Sequence, residues 1–391
     1  MKQKYYYFDY AATTPVDPRV LKAMLPYFEA DFANTMSLHS MGQSAKEAVE
    51  KSREIIAKAL NCSDNEIFFT SSATESNNTV LKGIAWANKN KGNHIIISSI
   101  EHACIIESAK WLEGQGFNVT RLKVDKYGAV NPEDVRRAIT DKTILVSIIH
   151  ASNEIGTIQP IKEIGKICKE KEVYFHTDAS QSFGKIPIDV EKMNVDLLTA
   201  SSHKMYGPKG VGLLYIRKGT IITPLLSGGG QERGLRSSTV NVGGIIGFAK
   251  AVDLCLKEMK KEGQRLIKMR DRVIKTVLKN VSNSYLNGDP KNRLPNNINL
   301  RFDFIEGEAL TIMLDGFGIE ASTGSACSSI KLEPSHVLIA IGLKPQEAHG
   351  SLRLSLGRLT TDKDVDYLLK YLPVVVDRLR KISPFKAPIH N

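Results

Sequence analysis

The stretch Ser201–Gly210, SSHKMYGPKG, sets a histidine beside a lysine at the end of an apolar run and just before a Gly/Pro turn. A lysine in that place is either a surface residue past the end of a strand or a reactive amine held in a site. Two other stretches bear on the choice. Asp178 closes the apolar run VYFHTD upstream of Lys204. Thr70–Ser76, TSSATES, joins a strand-like run to a helical one. A helix start offers unpaired N–H groups and the positive end of the macrodipole, and both favour an anion. Ala73 and Thr74 would supply those donors, and Thr-Glu-Ser supplies a cap followed by an acid.

An amine, a carboxylate and an anion cradle are the parts that a pyridoxal phosphate site needs. The lysine would form the Schiff base, the aspartate would face the ring nitrogen, and the helix start would hold the phosphate. His203 and Ser201 stand close enough in sequence to Lys204 to reach the same phosphate. Taken singly, each residue also has an ordinary explanation. Asp178 reads as a turn residue, His203 as a satisfied core histidine, Lys204 as a surface cation and TSSATES as a plain helix cap. The order in which they occur is harder to explain that way.

The elements around them decide where these residues would sit. Between about residues 66 and 216, the strand candidates are EIFFTS, HIIISS, NVTRLKV, TILVSIIHA, VYFHTDAS, DLLTASSH and GVGLLYI. Amphipathic stretches such as SNNTVLKGIAWANKN and PIKEIGKICKEK separate many of them. Apolar, β-branched strands alternating with helices predict an α/β fold, a mostly parallel seven-stranded sheet with helices on both faces. Functional residues in such a sheet belong at the carboxyl ends of the strands. After Asn241 the pattern changes to a long helical region, a short strand (NNINLRF), a helix, a polar loop (ASTGSACSSIKLEPS), a second strand (GSLRLSLG) and a C-terminal helix. This reads as a smaller α+β domain.

At these residues the sequence resembles the cysteine desulfurases of the NifS/IscS type, group I, within the class V aminotransferases. The resemblance is carried by YFHTDASQSFGKIPID, SSHKMYGPKGVGLLYIRKG, GGGQERGLRSSTVNVGGIIG and STGSACSS with LEPSHVLIAIGL. It extends from DYAATTPVDPRV to LRLSLGRLTTDKDVDYLL, nearly the whole chain. It implies the fold-type I architecture, pyridoxal phosphate, and removal of sulfur from L-cysteine to leave L-alanine. It also implies an N-terminal arm at residues 1–15 packing with the small domain. A large cofactor-binding domain would follow at 16–250, and a small domain at 251–391 would carry the catalytic cysteine loop.

The resemblance implies roles residue by residue. Lys204 is the Schiff-base lysine, Asp178 the partner of the ring nitrogen, and Gln181 the hydrogen-bond partner of the phenolate oxygen. His102 stacks on the ring and moves protons, and Asn153 lies beside ring and substrate. Ala73, Thr74, Ser201 and His203 form the phosphate shell, which Thr239 joins from the neighbouring subunit of a homodimer. Arg353 and Asn34 hold the substrate carboxylate. Cys327 receives the sulfur as a persulfide, passes it to an acceptor or iron–sulfur scaffold protein, and transiently contacts a cluster there. Cys327 also stands out without the resemblance, because its flanks are small and polar and a core cysteine usually has aliphatic ones. Two departures matter. ANTMSLH replaces the usual Gly-Asn-Pro-Ser-Ser-x-His around Asn34, and RSST replaces RSGT before Thr239.

Composition narrows the rivals. The 391 residues are 42% hydrophobic and 24% charged, which fits a globular protein of two domains. No apolar run is long enough to span a bilayer. The N-terminus lacks a secretory h-region, so a cytoplasmic protein without membrane partners is expected. Five cysteines without a C-x-x-C pair argue against a disulfide framework or a resident metal. The formal charge of +11 gathers in Lys257–Lys279, where apolar residues fall at helical spacing. That stretch reads as a solvated helix face and not as a nucleic-acid surface. The remaining rivals are another pyridoxal phosphate activity, such as an aminotransferase or selenocysteine lyase, and a sulfur-carrier scaffold. Cys327 argues against an aminotransferase. Lys204, Asp178 and His102 together argue against a scaffold.

Overall fold

The computed structural model describes residues 5–323 and 334–384. Its main sheet contains β1 (Ile67–Thr70), β2 (His94–Ser98), β3 (Asn118–Leu122), β4 (Thr143–Ser147), β5 (Tyr174–Asp178), β6 (Leu197–Ser201) and β7 (Gly212–Ile216). Across the sheet these run in the order β1, β7, β6, β5, β4, β2, β3. β7 is antiparallel to both of its neighbours, and every other adjacent pair is parallel.

The strands are apolar throughout because helices cover both faces. On one face Ile96, Val146, Leu198 and Tyr215 pack against α1 (Ser40–Leu60), α4 (Ile161–Glu170) and the first part of α5 (Val242–Asn280). On the other face Ile95, Ile97, Leu145, Leu197 and Leu214 pack against α2 (Ala73–Asn88) and α3 (Ala103–Glu113). Neighbouring residues on one strand thus enter opposite cores, the period-two alternation of a strand buried on both sides.

A second, three-stranded antiparallel sheet joins β8 (Ser284–Leu286), β9 (Asn297–Phe302) and β10 (Ser351–Ser355), with β9 central. The later part of α5 and α6 (Asp362–Ile382) cover it through Leu266, Met269, Val273, Val277, Val365, Leu368 and Leu372. The domain division expected near residue 250 therefore falls inside one helix of 39 residues that contributes to both cores. The charges of its later part lie as the periodicity implied, with Lys257, Lys260, Lys261, Lys268 and Lys275 exposed. At the N-terminus Tyr6–Tyr7 pairs in parallel with Ile319–Glu320, and Phe8 is wholly buried in the small-domain core. The chain then crosses to the large domain. Among the described residues, no helix is long and apolar enough to cross a membrane.

Arg293 ties the two domains together, without an ion pair among the described residues. It is 4% exposed, and its guanidinium donates to the carbonyls of Asn287, Asp289 and Asn297 and to Ile155 of the large domain. Burial pulls its pKa down to about 9. Removing it leaves several buried carbonyls without donors, at about 1–3 kcal/mol for each group that stays unpaired. Arg293→Ala is therefore expected to lose about 3 kcal/mol of stability, read as a lower calorimetric unfolding temperature. An unchanged transition would show that water replaces the guanidinium there.

Candidate active site

A cavity of about 430 Å³ opens at the carboxyl ends of the parallel strands. The turn from β1 into α2 brings Ala73 and Thr74 to it, and the turn from β2 into α3 brings His102. Asn153 follows β4. Asp178 ends β5 and leads to Gln181, and Ser201 ends β6 and leads to His203 and Lys204. Arg353 enters from β10 of the small domain. The parallel topology thus gathers residues spread over most of the chain.

The α2 start faces the cavity with a built cap. Ser72 accepts from Glu75 N, and Glu75 pairs with Arg236 at 2.8 Å. Gly212 of β7 makes room for this turn, since a Cβ there would lie 2.4 Å from the Ser72 carbonyl carbon.

Asp178 is 4% exposed and firmly oriented. Ser180 donates to Oδ1 through its N–H at 2.9 Å and its hydroxyl at 2.5 Å. Asn77 donates to Oδ2 at 2.7 Å. Lys204 Nζ donates to the carbonyls of Ala11 and Ala12, both at 2.7 Å, and Gln181 Nε2 donates to Ala11 O at 2.9 Å. His203 Nδ1 lies 3.1 Å from the Thr13 hydroxyl. Burial, with Lys204, Lys209 and Lys185 nearby, holds its pKa down at about 4. Residues 11–14, after the chain leaves the small domain, therefore form one wall of the site.

His102 caps α3, accepting from Cys104 N through Nδ1 at 3.2 Å. Burial lowers its pKa more than Asp178 raises it, and Lys204 and His336 lower it further. Before it stands Glu101, wholly buried, whose Oε1 accepts from Ser98 Oγ at 2.5 Å and Ile149 N at 2.8 Å. Burial pushes this carboxyl up to about 8.

Arg353 is buried, with Nη2 on Asp9 at 2.9 Å and Nη1 on Asn153 O at 3.4 Å. Its Nε is buried without a partner. Two of the five guanidinium N–H groups are thus used, one of them on an acid of the N-terminal segment, and the others suit a carboxylate ligand.

Of the expected residues, Asn34 is not brought to this cavity, and Thr239 is expected at the site of a neighbouring subunit. Asn34 is exposed and accepts from Met36 N at 2.9 Å. Thr239 is exposed and lines a separate pocket with Phe69, Glu232 and Arg236. Cys327 lies outside the described residues. Conversely, sequence reasoning missed Asn77, Asp9, Glu154 and His336, of which Asn77, Glu154 and His336 line the cavity. Asn77 was legible in principle, because it stands one helical turn after Ala73 on the same face.

The cavity fits pyridoxal phosphate by its donor set. It combines an amine on Lys204, an oriented carboxylate on Asp178 and a helix start able to take the phosphate. Such a constellation on a seven-stranded sheet with a small second domain defines a fold-type I pyridoxal phosphate protein. The aminotransferase class-V family model matches residues 6–368, and the chain belongs to that family. Within it, the chain is 54% identical over 383 residues to the cysteine desulfurase IscS of Methanosarcina thermophila, covering 98% of this chain and 95% of the relative. A solved NifS-like protein superposes with a TM-score of 0.91 at 40% identity, covering 96% of this chain and all of the other. The structure of SspA in complex with cysteine superposes at 0.79 with 38% identity, covering 90% of this chain and 98% of that one.

Glu101 gives a test of how the site wall is held. Folding raises its pKa from 4.5 to about 8. The stability contributed by the protonated carboxyl is complete below the unfolded value and is lost as pH rises toward the folded one. Glu101→Gln keeps the accepting oxygen and cannot ionise. Its unfolding temperature is expected to fall less than the wild type's between about pH 5 and about pH 8. Parallel pH curves for the two proteins would refute the raised pKa.

Proposed function

We propose that the protein is a cysteine desulfurase that takes the sulfur of L-cysteine, leaves L-alanine, and carries the sulfur on Cys327 as a persulfide. The observation that supports this most is the convergence of Lys204, Asp178, the α2 start and Arg353 on one cavity. The membership in a family with cysteine desulfurase relatives points the same way.

Pyridoxal phosphate, when bound, supplies the electron sink for the pair left at the substrate Cα. Ala73 and Thr74 N–H, with Ser201 and His203, hold its phosphate, and Thr239 of a second subunit completes that shell. Asp178 would meet the ring nitrogen, Gln181 would meet the phenolate oxygen, and Asn153 would border ring and substrate. Arg353 would bind the substrate carboxylate with the N–H groups that Asp9 and Asn153 leave free.

Lys204 Nζ would be the base that takes the substrate Cα proton. His102, uncharged near neutral pH because of its burial, moves protons on the other side of the ring. The Cys327 thiolate attacks the substrate sulfur. An S–S bond forms as the C–S bond breaks, the electron pair stays on carbon, and protonation there gives the alanine methyl group. The persulfide then passes to a sulfur acceptor or an iron–sulfur scaffold protein in the cytoplasm.

The active form is a homodimer. Phe28, Phe32, Met36 and Leu38 are 60%, 66%, 58% and 93% exposed, an apolar stretch that one chain leaves uncovered around Asn34. Sedimentation is expected to show a dimer, and an active monomer with bound cofactor would overturn this.

The activity is tested by measuring alanine and sulfide from L-cysteine in the presence of a thiol reductant. Cys327→Ser is expected to bind cofactor and substrate, give a substrate-induced spectral change, and carry no persulfide by mass spectrometry. Cys104 offers no substitute, because burial pushes its thiol up to about 12 and leaves it protonated. A persulfide on Cys104 at the wild-type rate in Cys327→Ser would make Cys327 a bystander.

A further inference from the structure

At the cavity wall, three side chains that no step above uses, two of which (Asn77 and Cys104) line the cavity, form one hydrogen-bonded string. Thr199 Oγ1 donates to Asn77 Oδ1 at 2.6 Å. Asn77 Nδ2 donates to Asp178 Oδ2 at 2.7 Å and to Cys104 Sγ at 3.2 Å. That sulfur lies 3.1 Å from His102 Nδ1, which also accepts from Cys104 N. Asn77 and Thr199 are wholly buried.

The direction of every bond in this string follows from its ends. A carboxylate accepts only, so the nitrogen of the Asn77 amide must face Asp178 and its oxygen must face the Thr199 hydroxyl. The second amide hydrogen then points at Cys104, whose sulfur accepts it. The Thr74 side chain also hydrogen-bonds this sulfur, and with the Thr74 hydroxyl donating there the thiol hydrogen is left for His102 Nδ1. Burial pushes this thiol up to about 12, so the hydrogen is present throughout the neutral range. With a backbone N–H and an S–H both directed at Nδ1, the ring carries its own proton on Nε2, the nitrogen left for the cavity.

We propose that Asn77 and Cys104 are positioning residues, which together fix His102 with its proton on Nε2 and hold Asp178 Oδ2 in register with it. The inference rests on the reading of His102 and Asp178 as the two groups that face the cofactor ring. On that reading, one string orients both the group over the ring and the group at its nitrogen, and proton traffic through His102 uses Nε2 alone. The charged or titratable groups around it, Asp178, Lys204 and His336, act on the ring's charge. None of them makes a hydrogen bond to Nδ1. A role confined to packing α2 against α3 would change stability and leave the tautomer alone.

The tautomer is read by ¹⁵N spectroscopy of the histidine-labelled full chain without cofactor, with His102→Gln assigning the signal. The wild type is expected to show an unprotonated Nδ1 and a protonated Nε2, and Cys104→Ser, which keeps a donor, the same. In Cys104→Ala, where only the residue-104 N–H still reaches Nδ1, the Nδ1 signal should move part of the way toward the average of the two tautomers, and in Asn77→Ala, where the thiol loses the donor that orients it, by less. Asn77→Ala should also bind pyridoxal phosphate about tenfold more weakly, the scale of losing a partner that orients a ligand. A wild-type proton on Nδ1, or one unchanged Nδ1 position in wild type, Cys104→Ser and Cys104→Ala, overturns the proposal. These three proteins decide it even if Asn77→Ala does not fold. Failure of the underlying site reading would appear separately, as wild-type protein that does not bind pyridoxal phosphate.

Discussion

The site depends first on the parallel ladder between β5 and β6. Asp178 stands opposite Thr199 in that ladder, and His176 and Thr177 are paired beneath it with Leu197 and Leu198. β5 ends at Asp178, opposite Thr199, and β6 runs two residues further to Ser201 before the turn that carries His203 and Lys204, so both strands deliver their last residues to the same edge of the sheet. The register also sets the Thr199 hydroxyl where Asn77 can bind it while donating to Asp178. A slip of one residue would turn Asp178 and Thr199 to the opposite faces of the sheet. Burial on both faces makes such a slip costly, because each strand would exchange the side chains of two filled cores.

The N-terminal segment adds what the sheet alone lacks. Phe8 is rooted in the small-domain core, and Asp9 pairs with Arg353 on the small-domain sheet. A few residues later, Ala11 and Ala12 receive Lys204, while Thr14 accepts from Tyr206 N and donates to His203 O. One short stretch thereby spaces the guanidinium from the amine, although the two stand on different domains. The long helix α5 serves the same end from outside, since its early turns belong to one core and its later turns to the other. Domain placement in this protein is a property of shared elements more than of an interface between separate bodies.

Much of this was legible in the sequence, and the limits have physical causes. Runs such as HIIIS and TILVS announce strands buried on both faces, and YFHTD and LLTAS end at the residues that matter. The reversal of β7 was not legible, because an antiparallel strand buried on both faces carries the same apolar composition as a parallel one. β8 is three residues long and half exposed, too short for alternation to declare itself. α1 was passed over although Ala45, Val49, Ile56 and Leu60 recur at helical spacing. Asp9 and Asn77 act only through partners far away in the chain, and no local pattern marks such residues. Glu154 and His336 joined the cavity in the same way, by topology.

The titratable groups around the cavity follow one rule. Burial holds His150, His176 and His203 down at about 4, and it pushes Glu101 up to about 8 and Glu154 up to about 7. Each shift favours the uncharged form, and most of these groups have a neutral hydroxyl beside them. Ser182 meets His150, Ser147 meets His176, and Ser335 donates to Glu154 at 2.5 Å. A wall of neutral polar groups orients its neighbours through hydrogen bonds without adding a field of its own. Charge effects weaken with the dielectric, so a charged wall in this dry setting would compete strongly with the few groups meant to act on a ligand. Leaving the wall neutral lets Asp178, Lys204 and Arg353 dominate the cavity. Each is held by specific donors or acceptors, so the field that an incoming amino acid meets is already oriented before it binds.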